Sequence, residues 1–128
     1  MSDEAKVMEY PQFGLGGRVA LVTGAARGLG RAIALAMAHA GADVALGLRE
    51  VKADSGLAAE IRKLERRALP LQMDMRNRDQ IFTAVDETAK EFGRIDILVN
   101  NAGIAPENPA ENVREQDFDE TLAVNLKG

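Results

Sequence analysis

The chain has 128 residues, 46% of them apolar and 28% charged, with a net charge of −4, one histidine and no cysteine. That is enough for one compact soluble domain with a real core; the acidic balance argues against nucleic acid as the main partner, and one histidine with no cysteine argues against disulfides and metal sites. No apolar run approaches the roughly 20 residues of a membrane span, and the acidic opening MSDEAKVMEYPQF lacks the apolar core of a secretory signal, so the expected location is the cytoplasm, away from membranes.

Residues 1–17 read as a mobile arm ending in FGLGG, and GLGG (14–17) as a loop. RVALVTG (18–24) is a short apolar run with β-branched residues, which predicts a buried strand. GLGRAIALAMAHAG (28–41) is rich in helix formers and closes on Gly41, placed as a helix stop. DVALGL (43–48) is the second strand. KADSGLAAEIRKLERR (52–67) carries Leu57, Ile61 and Leu64 at helical spacing, with Asp54 or Ser55 available as cap. ALPLQM (68–73) is the third strand, and its proline points to a sheet edge. The spacing predicts a helix over 77–93, with Asn77 and Gln80 resembling a capping box, Ile81, Val85 and Ala89 as its buried stripe, and Gly93 at its close. IDILVN (95–100) is the fourth strand, IAPENPAEN (104–112) a polar loop, and VREQDFDETLAVNLKG (113–128) a last helix.

Strand and helix alternate, so each helix is the crossover returning the chain to the same end of a parallel sheet. Right-handed crossovers with helices on both faces give an α/β, doubly wound architecture. Ligands bind such sheets beyond the carboxyl ends of the strands, where the 104–112 loop also belongs.

The glycines at the first strand-to-helix junction suit a phosphate. The first amides of a helix have no partner within it, and the helix dipole adds partial positive charge there. Gly24 permits the sharp turn, Gly28 lets backbone approach a pyrophosphate, and Gly30 allows close packing of the helix. The spacing is G-x-x-x-G-x-G, not the common G-x-G-x-x-G, but it stands between a strand and a helix, the context that such a motif requires.

TGAARGLG (23–30), NNAG (100–103) and VNLKG (124–128), in that order, resemble the short-chain dehydrogenase/reductase family from about Gly17 to the last residue. The resemblance implies a Rossmann-type sheet over 18–128, truncated after about four strands and incomplete at its C-terminus. It implies hydride transfer between a nicotinamide cofactor and an alcohol or carbonyl. The cofactor-binding set it implies is Thr23, Gly24, Arg27, Gly28, Leu29, Gly30, Arg49, Asp74, Met75, Asn101, Ala102 and Gly103. Leu48 stands where users of NAD carry aspartate, Arg49 follows it, and Arg27 lies within the glycine turn. Paired guanidinium donors suit a 2′-phosphate, which favours NADP(H); Glu50, able to reach the ribose, keeps NAD(H) as the alternative. Asp74 and Met75 would lie by the adenine, although Asp74 also reads as a cap for the helix over 77–93. Asn100 would hydrogen-bond backbone, while Ala102 and Gly103 allow close approach.

Asn125 matches the family asparagine that holds a water feeding the catalytic lysine; its alternative is an exposed polar helix residue. The family's serine and its Tyr-x-x-x-Lys pair match nothing here. Tyr10 is followed four residues later by Gly14, and the catalytic residues would lie beyond residue 128. Two readings follow: the cofactor-binding half of a reductase acting on a small-molecule alcohol or ketone, a homo-oligomer when complete, or a non-catalytic nucleotide-binding or dimerising module. A methyltransferase-like domain is a third, and NNAG and VNLKG argue against it. The fourth strand, apolar and unprotected as an edge, leads us to expect poor solubility or association of the isolated chain.

Overall fold

The computed structural model describes residues 14–53, 56–103 and 114–127. Four parallel strands, β1 (Val19–Thr23), β2 (Asp43–Leu48), β3 (Ala68–Gln72) and β4 (Ile97–Val99), form one sheet in the order β3-β2-β1-β4. Val22 of β1 stands opposite Leu46 on one side and Val99 on the other. This is the Rossmann-type α/β architecture expected, and β3 with its Pro70 is an outer strand, where a missing N–H costs no ladder bond.

Helices α1 (Gly28–His39) and α2 (Leu57–Lys63) cover one face, and α3 (Arg78–Phe92) packs on the other; α4 (Glu115–Leu122) runs on into a π-helical segment, Ala123–Lys127. Every residue of β1 is buried, so it reads as a continuous apolar run without alternation, as a strand covered on both faces must. Val22, Val44, Leu46 and Leu48 pack with Ala34, Ala38, Leu57 and Ile61 on one face. Val19, Leu21, Ala45 and Leu71 pack with Ala84 and Phe92 on the other.

Gly41 stands at the close of α1 as expected, whereas α2, α3 and the last helix differ from expectation in detail. Helix α1 stops at His39, and Gly41 follows with φ +110°, its N–H donating to the Ala38 carbonyl at 3.0 Å. Helix α2 begins at Leu57 and not at 52, because Gly56 precedes it at φ +78° and residues 51–53 form a separate 3₁₀ turn. The proposed caps Asp54 and Ser55 lie outside the described residues. On α3 the buried stripe is Ala84, Thr88 and Phe92, with Ile81 half-buried, whereas Val85 and Ala89 face out. Thr88 can be buried because its hydroxyl donates to the Ala84 carbonyl at 2.7 Å. The last helix is not straight: its second half is the π segment.

Next to the sheet, the part of the expected arm that is described is held in place. The Leu15 N–H donates to the Ala40 carbonyl at 2.7 Å, and Leu15 packs on the core. Residues 1–13 and the 104–112 loop are outside the described residues. Strand β4 pairs only with β1 among the described strands, and Leu98 is 56% exposed.

Candidate functional site

At the carboxyl ends of the strands lies a cavity of about 410 Å³. It brings together Gly24, Arg27, Gly28, Leu29, Arg49, Asp74, Met75, Asn101, Ala102 and Gly103 from loops far apart in sequence. Its wall also includes residues that the sequence reading did not name, among them Met73, Arg76, Glu120 and Val124.

The glycine turn is built by contacts on one side and openness on the other. Gly24 has φ +62°, and a Cβ there would stand 2.9 Å from the Ala102 Cα. A Cβ on Gly30 would fall 2.1 Å from the Gly24 carbonyl oxygen and 2.4 Å from the Asn101 Nδ2. Gly30 therefore lets α1 start directly against the turn and against the exit from β4. Gly28 is different: φ is +59°, and a Cβ there would meet nothing within 4 Å. It faces open space at the head of α1. That helix follows an extended Arg27, has no side-chain cap and carries no acid in its first turn. Its first amides and dipole are left for an anion from outside. Among the described residues, neither the Arg27 nor the Arg49 guanidinium has an ion-pair partner. The same end of the sheet thus carries two further cationic donors for a phosphorylated ligand.

Asp74, by contrast, is taken up within the protein. Its carboxylate accepts from the Arg76 guanidinium at 2.8 and 3.1 Å and from the Arg76 N–H at 3.0 Å. That hydrogen-bonded guanidinium holds the Asp74 carboxyl below its ordinary range. Arg76 also reaches Glu120 of α4 at 3.4 Å. Asp74 is not the cap of α3: Asn77 is, its Oδ1 accepting from the Gln80 N–H at 3.1 Å. The expected capping box is only half formed, because the Gln80 side chain accepts from the Asp74 N–H at 2.9 Å instead of from Asn77.

Thr23, expected with the ligand-binding set, is 1% exposed. Its hydroxyl donates to the Val99 carbonyl at 3.3 Å and accepts from the N–H groups of Asn101 and Ala102 at 2.9 and 3.0 Å. Asn101, where the sequence reading chose Asn100, carries the side-chain bond to backbone, donating to the Gly24 carbonyl at 3.2 Å. Asn125 lies in the π segment and against Gly103, where a Cβ would stand 3.2 Å from its Oδ1. Together with Thr23, Met75, Asn100, Ala102, Val124 and Leu126 it lines a smaller, adjoining cavity of about 190 Å³. Signals for Arg76 and Gln80 were present in the sequence, beside Asp74 and at the third position of α3; nothing local marked Glu120.

Among the described residues no group of histidine, cysteine, aspartate and glutamate could hold a metal, and no helix is long and apolar enough to cross a membrane. A family model described as short chain dehydrogenase matches residues 18–128. The D-threitol dehydrogenase of Mycolicibacterium smegmatis is 46% identical over 116 residues, 91% of this chain and 45% of that protein. A putative short-chain alcohol dehydrogenase from Sinorhizobium meliloti superposes with a TM-score of 0.86 at 44% identity, over 91% of this chain and 46% of that one. A Burkholderia cenocepacia short chain dehydrogenase, crystallised in complex with NADP, gives a TM-score of 0.83 at 42% identity, over 88% of this chain and 46% of that one. The chain thus spans about half the length of the relatives it matches. Motifs, sheet order and these matches agree that the chain belongs to the short-chain dehydrogenase/reductase family.

Proposed function

We propose that this chain supplies the cofactor-binding half of an NADP(H)-dependent oxidoreductase acting on a secondary alcohol or a ketone. The observation that carries the proposal is the convergence on one cavity of an uncapped helix start, an open Gly28 and two arginines that have no ion-pair partner among the described residues. The relative crystallised with NADP supports the cofactor.

In this reading the amides around Gly28, Leu29 and Gly30 bind the pyrophosphate, aided by the α1 dipole. Arg27 and Arg49 bind the 2′-phosphate through paired N–H donors. Asp74 and Met75 flank the adenine, and the small residues Ala102 and Gly103 leave room for the ribose and ring beyond it. A nicotinamide held there would supply or accept the hydride. Asn125, beside Gly103 and lining the adjoining cavity, would orient a water there. The proton that must reach or leave the reacting oxygen is handled by residues in the part of the relatives that this chain does not span. We assign Asn125 to its relay.

Titration of the chain with NADPH and with NADH, followed by nicotinamide fluorescence, tests the cofactor reading. NADPH should bind about tenfold more tightly or better, as expected for charge-assisted bonds to an added phosphate. Equal affinities would remove Arg27 and Arg49 from the site.

A further inference from the structure

We infer that Gln72 is a positioning residue for cofactor choice: its carboxamide ties down the loop that carries Arg49 and so aims that guanidinium into the nucleotide cavity. The inference rests on the reading of Arg49 as a 2′-phosphate ligand.

Gln72 is the last residue of β3, in register with Leu48, the last residue of β2. Its side chain is half-buried and reaches across to the stretch that leaves β2. The Gln72 Nε2 donates to the Arg49 carbonyl at 2.6 Å, and the Gln72 Oε1 accepts from the Val51 N–H at 2.9 Å. A carbonyl can only accept and an N–H can only donate, so these two partners fix which way the amide points. An ionised glutamate would offer only acceptors here and a lysine only donors. The second Nε2 hydrogen points to the Gln80 Oε1 at 3.3 Å, and that same oxygen takes the Asp74 N–H at 2.9 Å.

Two glutamines therefore link the loop bearing Arg49 to the loop bearing Asp74. Arg49 itself is exposed, with a long side chain that has many rotamers. Anchoring its backbone from both sides lowers the ordering cost when the guanidinium engages a ligand. A ligand without the 2′-phosphate gains nothing from that anchoring, so the effect belongs to discrimination and not to general affinity.

The ratio of NADH to NADPH dissociation constants of the chain is the measurement. In Q72L it should fall about tenfold, the worth of one to two hydrogen bonds, with NADH affinity held within about twofold. Q72M keeps the length of the side chain and adds no charge, but offers neither the donor for Arg49 nor the acceptor for Val51. The ratio should fall there as well, and this variant decides the matter if Q72L does not fold. In an R49A background, Q72L should lower the ratio no further, because the second change acts through the first. An unchanged ratio in a folded variant, an equal loss for both cofactors, or additivity with R49A would overturn the inference while leaving the cofactor reading intact. A wild-type chain with no preference for NADPH would overturn both.

Discussion

Helices α1 and α3 both begin at the carboxyl ends of strands, yet their first turns are finished in opposite ways. Helix α3 closes its own: Asn77 caps it, Asp79 stands in its first turn, and Gln80 returns to the preceding loop. Helix α4 has no side-chain cap but carries Glu115 and Asp117 in its first turn, the Asp117 carboxylate accepting from Arg114. Helix α1 has neither cap nor acid, and a glycine with free space around it stands at its head. Carboxylates in a first turn stabilise a helix but would compete with, and repel, an incoming phosphate. The contrast teaches that a ligand site at a helix start is recognised by what the chain withholds from it.

The largest effect should come from closing the turn beneath α1. In G30A the methyl would collide with the Gly24 carbonyl and the Asn101 amide, costing about 3 kcal/mol or more by urea unfolding and abolishing NADPH binding. G28V separates stability from binding. The left-handed backbone costs about 1–2 kcal/mol, but the side chain occupies the open approach, so NADPH affinity should drop at least about tenfold. If G28V binds as the wild type does, the space above Gly28 is not the phosphate site.

On the other side of the comparison, N77A should cost about 1 kcal/mol of stability and leave NADPH affinity within about twofold. A strong loss of binding there would erase the distinction between the two helix starts. The smallest effect concerns acid. Because Arg76 holds the folded-state Asp74 carboxyl low, the stability it contributes is fully present above about pH 4 and is lost as pH falls through the lowered value. The gap between wild type and D74N should therefore be widest above about pH 4 and close progressively in more acid solution. It should be small throughout, since the Arg76–Asp74 pair is partly open to solvent.

Much of this architecture can be read from local pattern. The glycine trio, the four apolar runs and Pro70 as an edge marker each reflect a constraint confined to a few neighbouring residues. What escaped the reading depends on partners distant in sequence. On α3 the buried stripe hides in the sequence because Thr88 looks polar until its hydroxyl is paired with Ala84. The split of α2 from its preceding turn depends on one left-handed glycine, Gly56, inside an otherwise helical pattern. Gln72 bonds to Arg49 and Val51 across 23 and 21 residues, and nothing in LPLQM announces it. Asn125 was singled out by resemblance, but no periodicity announces that its turn is π-helical, a geometry that recurs at functional sites.

The hydroxyl of Thr23 has a mechanical consequence. By holding Val99, Asn101 and Ala102 from the end of β1, one side chain joins the floor of the cavity on the glycine-turn side to its floor on the NNAG side. The two walls are thereby tied to each other before any ligand arrives. A valine here would keep the shape but leave two backbone N–H groups without their acceptor. The two turns would then be joined only by the Asn101–Gly24 bond and the pairing of β1 with β4, and ligand affinity should fall through added motion.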